Sequence, residues 1–372
     1  MREKRRIKYF NHPLYILSLL AIFVASCSKT PIRETPVESP TDTTITSVDD
    51  YSKGIFVINE GNYNWGNASV SYIDNATNTV IQDVYKKVNQ RGLGDVAQSM
   101  ILFKDYGLIV VNNSNRIEVV TLKDFKSYTS ISGFYSPRYL ELVDSTKAYV
   151  TSLKKNIAVI DLTTFTITKE IPIPNWTEVL AKFDHYMFVT SVGNFSQTND
   201  KRKAQIFIID TKTDLIIDSI TTGKEPLGIV IDKKQKIWVL CTGGYDFYES
   251  PSLIRIDPLL RIVEKTFTFP NDGNLPKKLC INPTGDTIYY IKTGVYQMAV
   301  TSDDIPSQPY IPSNGRVFYG LSIHPTNGSI FVSDVLDYVQ NGTIYQYNSS
   351  KKTLLNTYKV GRIPASFCFT NQ

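Results

Sequence analysis

AQIFIIDTKTDLIIDSITTGKEPLGIV, residues 204–230, reads as strand, turn, strand, turn. Ile206, Ile208 and the flanking aliphatics form a short β-branched and aromatic run, which Asp210-Thr211-Lys212-Thr213-Asp214 breaks with side chains that hydrogen-bond their own backbone. Leu215 to Ile220 begins a second run, and Gly223 with Pro226 forces another turn. The unit is half of a four-stranded antiparallel sheet, so its recurrence decides the architecture before any local assignment does.

It recurs. The pair that closes the first run, Ile209-Asp210, has counterparts at Ile73-Asp74, Val120-Thr121, Ile160-Asp161, Ile256-Asp257, Val300-Thr301 and Tyr347-Asn348. Successive anchors lie roughly 40 to 50 residues apart, the length of one four-stranded propeller blade. Seven anchors imply an all-β, seven-bladed β-propeller over residues 51–372, an architecture that escapes the size limit of a single core by adding units side by side. The copy near Val300 is the weakest, because Asp303-Asp304-Ile305-Pro306 interrupts where a strand is expected.

The two ends of the repeat are fragments that complement each other. Gly54 to Asn59 is a strand with none before it, followed by strands ending at Ile73 and spanning Thr79 to Tyr85, and Ala365 to Thr370 is a lone strand after the last full unit. Pairing the last with the first closes the ring and removes the exposed edges of an open array. Innermost strands are expected near residues 96–103, 138–143, 179–183, 227–231, 277–282, 318–323 and 365–369, with no helix beyond short loop turns.

Residues 1–26 stand apart from the fold. Arg2, Lys4, Arg5, Arg6 and Lys8 precede an apolar run, Leu14 to Val24, too short for a stable span, and Val24-Ala25-Ser26-Cys27 fits a lipoprotein cleavage box. Lipidation of Cys27 is expected, with residues 27–50, rich in Thr, Pro and Ser, as a flexible tether. Losing residues 1–26 removes five cations and one anion, so the formal net charge falls from +5 to +1. A nearly neutral mature chain gives no reason to expect a nucleic-acid partner.

The chemistry expected is binding. Cys241, Cys280 and Cys368 lie in strands without ligand spacing and read as free thiols, and His185 and His324 sit at turns of different blades. No Ser/His/Asp order, phosphate-cradling glycine loop or redox cysteine pair is present, so neither an enzyme nor a cofactor is expected. The acids Glu60, Asp95, Glu141 and Asp334 are scattered; a turn or capping role suits them, and Asp95 could point inward. The loops joining outer to next inner strand and second to third strand converge on one face, and they are rich in rings and amides. Asn62, Tyr63, Trp65, Arg91, Tyr135, Arg138, Trp176, Phe195, Tyr245, Phe247, Tyr319 and Tyr338 are therefore the candidate ligand-binding residues, since rings supply stacking area and amides and guanidinium oriented hydrogen bonds. Packing of some of these rings between blades is the alternative.

The segments FVINEGNYNWGNASVSYID (56–74), RGLGDVAQSM (91–100), SPRYL (136–140) and GKEPLGI (223–229), with the lipoprotein signal, resemble the YVTN-type propeller lipoproteins of Bacteroidetes. Among these the chain is most similar to the corrinoid-capturing surface propellers of the BtuG type. That resemblance implies an outer-membrane, lipid-anchored, surface-exposed protein. It would hold cobalamin or a related corrinoid on its loop face, near Asn62, Tyr63, Trp65, Arg91, Tyr135, Arg138 and Trp176, and pass it to a TonB-dependent transporter. A glycan- or peptide-binding propeller and an interaction scaffold of a transporter complex are the alternatives. If the cleavage box is used, Cys27→Ser abolishes metabolic labelling by palmitate and releases the protein from membranes; retained labelling would exclude Cys27 as the acceptor.

Overall fold

The computed structural model describes residues 50–192, 204–244 and 249–370; the signal, Cys27, the tether to residue 49, and Phe195, Tyr245 and Phe247 lie outside them. Six of the anchor pairs close the third strand of a sheet, Val300-Thr301 falling just beyond Ala299, and at the Asp and Asn anchors the turn that follows is built by the anchor side chain. Asp74 Oδ1 accepts from the amides of Ala76 and Thr77, Asp257 Oδ1 from Leu259 and Leu260, and Asn348 Oδ1 from Ser350 and Lys351. Four residues after six of the seven anchors, the chain turns through a left-handed residue: Asn78, Phe125, Phe165, Asp214, Arg261 and Lys352. The weak copy has no such turn, and its fourth strand is only Ile311–Pro312.

The strands form seven four-stranded sheets, each innermost strand packing against the innermost strands of both neighbouring blades. The innermost strands are Ala97–Phe103, Pro137–Leu142, Trp176–Phe183, Pro226–Ile231, Lys277–Ile281, Phe318–Ile323 and Pro364–Phe369. Seven apolar clusters hold the blades apart, one per interface. Because successive side chains alternate faces, each second strand feeds two clusters. Trp238 and Leu240 pack toward the sixth blade, Ile237 and Val239 toward the fourth. Both faces are covered, so these strands read as continuous apolar runs, as in the fully buried GIFVIN.

The outermost strand of the first blade is shorter than the sequence suggests, which has it over Thr79 to Tyr85. It spans Val80–Ile81 and gives way to a six-residue helix, Val84–Asn89. Burial of Val84 and Tyr85 in the first interface, and donation from Tyr85 Oη to buried Glu118 at 2.6 Å, outweigh strand propensity there. No helix among the described residues is long and apolar enough to cross a membrane. Cys241, Cys280 and Cys368 are free thiols.

The ring closes as the complementary fragments require. Pro364–Phe369 runs antiparallel to Gly54–Asn59 with Phe56 opposite Cys368 and Ile58 opposite Ser366. Gly54 N donates to Thr370 Oγ1 at 2.8 Å, and Thr370 N donates back to Gly54 O at 3.1 Å. Ending the chain at Ile363 removes buried Ala365 and Cys368 with Phe367 and Phe369, each worth up to ~2 kcal/mol of burial, against a total stability of about 5–15 kcal/mol. The truncated protein is expected to lose its cooperative thermal transition or to melt at least 10 °C lower; an unchanged melting temperature would refute the closure.

Candidate ligand-binding mouth of the channel

At the start of every innermost strand the ladder to the second strand slips. The shift falls between Ala97 and Ser99, Pro137 and Leu140, Thr177 and Leu180, Pro226 and Gly228, Lys277 and Cys280, and Phe318 and Leu321. In the first blade it falls between Pro364 and Ser366. A bulge re-aims the residues it leaves out of the ladder and frees their backbone amides. In three blades fully buried hydroxyls on the second strands take up such an amide. Tyr139 N donates to Thr151 Oγ1 and Val179 N to Thr190 Oγ1, both at 3.0 Å, and Gly320 N to Ser333 Oγ at 2.6 Å.

The released side chains form a polar floor. Arg138 Nε donates to Glu178 Oε2 at 2.9 Å in the next blade, its Nη1 reaches Gln98 Oε1 in the previous one, and Gln98 Nε2 donates to Tyr139 Oη at 3.1 Å. Burial alone would weaken the Arg138 charge, but Glu178 beside it holds the guanidinium firmly protonated. On the opposite arc Tyr319 Oη donates to Glu60 Oε2 at 2.9 Å, and the ammonium groups of Lys277 and Lys278 lie 5.0 and 5.5 Å from the Tyr319 ring centre. Burial, then Glu60, pushes the Tyr319 hydroxyl pKa up. Glu60 acts on both Arg138 and Lys277, and Tyr139 on Tyr319, so the two arcs share one weakly screened space.

Around this floor stand exposed rings: Tyr63 (67% exposed), Trp65 (61%), Tyr135 (59%), Tyr338 (41%) and Trp176 (39%). Chain order puts them on the same face, since each lies in an outer-to-inner or second-to-third connection, or at the first residue of an innermost strand. The loop carrying Tyr63 and Trp65 is pinned on both flanks. Asn62 Nδ2 donates to Tyr338 O of the seventh blade at 2.8 Å; on the other flank, Asn64 N donates to Asp95 Oδ2 at 2.8 Å. Asn113 Nδ2 bridges Asp95 Oδ2 and Asn64 Oδ1. The loop backbone is thus set before any ligand arrives, while its rings remain open to solvent.

The candidate residues divide by role. Tyr63, Trp65, Tyr135, Trp176 and Tyr338 form the rim, Arg138 and Tyr319 the floor, and Asn62 and Asp95 fix the loop. Arg91 belongs to the outer part of the second blade, where it pairs with buried Glu118, hydrogen-bonds Ser127 on the outermost strand and lies over Tyr85. Sequence reasoning passed over Gln98, Tyr139, Glu178, Lys277 and Lys278, although each follows within two or three residues of the point where an innermost strand opens. Asp334 is a turn residue, accepting from the amides of Val317 and Leu336. His324 packs on Phe369 and takes Thr326 N at Nδ1, and His185 pairs with Asp184 on the opposite face. No group of three His, Cys, Asp or Glu among the described residues is placed to hold a metal. On that opposite face a cleft of about 430 Å³ is lined by Val143, Lys147, Lys182, His185 and Lys212.

A closed ring of seven four-stranded blades with a polar channel mouth and a ring-lined rim places the chain in the class of seven-bladed β-propellers. Residues 53–370 match the family described as Domain of unknown function (DUF5074), and the chain belongs to that family. No curated protein sequence matches it. Among solved structures it is similar to a quinoprotein alcohol dehydrogenase-like protein from Bacteroides thetaiotaomicron, at 16% identity and TM-score 0.67 over 87% of this chain and 79% of that one. It is also similar to a protein from Lactobacillus plantarum, at 13% identity and TM-score 0.61 over 85% and 98%. A third match is the hydrazine synthase of Kuenenia stuttgartiensis, at 14% identity and TM-score 0.57 over 74% and 89%. Likeness at these identities concerns the propeller fold alone.

Three residues beyond Arg138 on the same strand, burial pushes the Glu141 carboxyl up to about 7, with Lys182 offsetting only part of the effect. An unfolded Glu releases its proton near pH 4.3. Between these values the folded state binds more protons than the unfolded one, so this group's contribution to stability is full below about pH 4.3 and is lost as pH rises through about 7. Glu141→Gln removes that loss. Relative to wild type, the variant is expected to gain roughly 2–4 °C in melting temperature on going from pH 5 to pH 8; parallel curves would mean Glu141 titrates as in water.

Proposed function

We propose that this protein is a non-catalytic, lipid-anchored surface propeller that captures a scarce nutrient, a cobalamin-type corrinoid, at its channel mouth. It delivers the ligand to a TonB-dependent outer-membrane transporter. The observation that carries this reading is the pairing of a preset, ring-bearing rim with a polar floor on one face. A corrin is a broad, partly flat macrocycle edged with amides, and it needs stacking area at its faces and fixed donors and acceptors at its rim. Tyr63, Trp65, Tyr135, Trp176 and Tyr338 offer the first; Gln98, Arg138, Tyr139 and Tyr319 offer the second. The family resemblance in residues 56–74 and 91–100 and the lipoprotein box ending at Cys27 support the same reading. Exposed rings with amides also suit sugars, which makes glycan capture the rival.

Calorimetric titration of the mature chain with cyanocobalamin and cobinamide tests it. Both are expected to bind tightly, because recognition falls on the corrin they share. Trp65→Ala and Trp176→Ala each weaken binding by roughly tenfold or more, the loss of one stacked ring of about 1–3 kcal/mol. No detectable binding would sink the corrinoid reading and leave glycan screening as the next measurement.

A further inference from the structure

Lys277 and Lys278 open the innermost strand of the sixth blade, where the bulge releases Lys278 from the ladder. In the aligned repeats Pro226-Leu227-Gly228 and Phe318-Tyr319-Gly320, a glycine holds the place that Lys278 takes in Pro276-Lys277-Lys278. Lys278 adopts a left-handed backbone there, φ +57°, a conformation strained for a residue with a side chain. The consequence of that strained substitution is a pair of ammonium groups on one aromatic ring, 5.0 and 5.5 Å from the centre of Tyr319. Neither has a carboxylate within 4.0 Å, and neither has a hydrogen-bond partner, among the described residues.

The surrounding charges do not cancel the pair. Arg138 and Glu178 neutralise each other in an ion pair of 2.9 Å. Glu60, the remaining carboxylate whose charge reaches Lys277, has an oxygen committed to the Tyr319 hydroxyl. Lys277, Lys278 and Glu60 together leave one net positive charge in a half-buried place. Burial first, and then the like charge of Lys278, hold the Lys277 ammonium down to a pKa of about 8, with Glu60 offsetting part of this. A group that binds between the two ammoniums and carries negative charge relieves both the repulsion and the lost hydration.

We infer that Lys277 and Lys278 form an oxyanion subsite of the channel mouth, which seats a phosphate group carried by the captured molecule. Two point-charge donors on separate stems can each reach a different oxygen of a tetrahedral phosphate. The inference rests on the mouth being the ligand site. On the corrinoid reading, the subsite separates a corrinoid bearing a nucleotide phosphodiester from one lacking it.

Two measurements on the mature chain test the subsite and separate its failure from that of the corrinoid reading. In the first, limited acetylation at pH 7.5 is followed at Lys277 by peptide mass spectrometry, with inorganic phosphate, pyrophosphate, or chloride at matched ionic strength. Phosphate and pyrophosphate are expected to slow Lys277 several-fold while exposed Lys212 on the opposite face is unaffected; no slowing, or equal slowing by chloride, overturns the subsite. In the second, Lys277→Gln/Lys278→Gln and Lys278→Gly are titrated with cyanocobalamin and cobinamide. Both variants are expected to lose roughly tenfold or more in cobalamin affinity and to bind cobinamide within about twofold of wild type. Equal losses for the two corrinoids overturn the phosphate assignment. Lys278→Gly restores the residue used by the neighbouring repeats and relieves the backbone, so its melting temperature should equal or exceed wild type and misfolding cannot mimic the effect. If wild type binds neither corrinoid, the corrinoid reading falls and the acetylation result alone decides the subsite.

Discussion

Antiparallel pairing of Pro364–Phe369 with Gly54–Asn59 is the constraint on which the rest depends. A blade cannot bury both of its faces alone, so each interface is stable only when blades stand on either side of it. The pairing supplies the strand missing from the first blade and brings Phe331, Phe367 and Phe369 against Ile55, Val57 and Ile73 in the last interface. It joins the two ends of the chain, so the blades share one fate, and no blade face is left without a neighbour. Local energetics alone would permit an open array; closure makes the mouth a ring of fixed circumference.

That fixed ring explains why the polar groups of the floor are tolerable. Seven inner strands cannot all continue the ladder to their ends and also present side chains at the mouth, and the recurrent bulge resolves the conflict. The cost of a bulge is a freed backbone amide, which inside a protein is expensive to leave unpaired. Thr151, Thr190 and Ser333, fully buried on the second strands, accept those amides and so allow the bulges of three blades to persist. In these blades the hydroxyl is therefore part of the structure of the bulge, and the residue beside it on the inner strand is released to vary: Arg138 in one, Glu178 and Tyr319 in the others.

Blade count, closure and innermost strands were legible because they rest on local, periodic signals: the anchor pair, the turn it builds and the complementary terminal fragments. The helix Val84–Asn89 was not, because its stability comes from burying Val84 and Tyr85 and from the contact of Tyr85 with Glu118, a residue 33 positions away. The rim was legible for a different reason. Rings in connections that topology collects on one face cannot all be core, and five of them stand exposed. Arg91 shows the limit of that argument, since a loop arginine is drawn outward by a buried carboxylate as readily as inward by a ligand. The floor was hidden because Gln98, Glu178 and Lys277 look like ordinary polar residues at strand starts. A Val-Thr-Ser type of triplet on the partner strand, read as bulge support, marks Glu178 as it marks Arg138 and Tyr319: Val189-Thr190-Ser191, Val150-Thr151-Ser152 and Val332-Ser333-Asp334. The strands opposite Gln98 and Lys277, with Val110-Val111 and Tyr290-Ile291, carry no such mark.

Rim and floor divide the work of recognition by rigidity. The rim loop of the first blade is held by hydrogen bonds to the seventh blade through Asn62 and to the second through Asp95 and Asn113, so its rings are placed by backbone bonds that no ligand has to form. A ligand meeting it pays little ordering entropy, which is how a modest contact area becomes a tight site. The floor is rigid by another route: Arg138 is locked between blades by Gln98 and Glu178, and Tyr319 is tied across the closure to Glu60. Lys277 and Lys278 are the exception, two cations with no hydrogen-bond or ion-pair partner among the described residues beside fully engaged neighbours. In a mouth where the other charges are already paired, affinity for an apolar surface is set by the rim, amide and hydroxyl recognition by the remaining capacity of the floor, and discrimination by charge falls to these two amines.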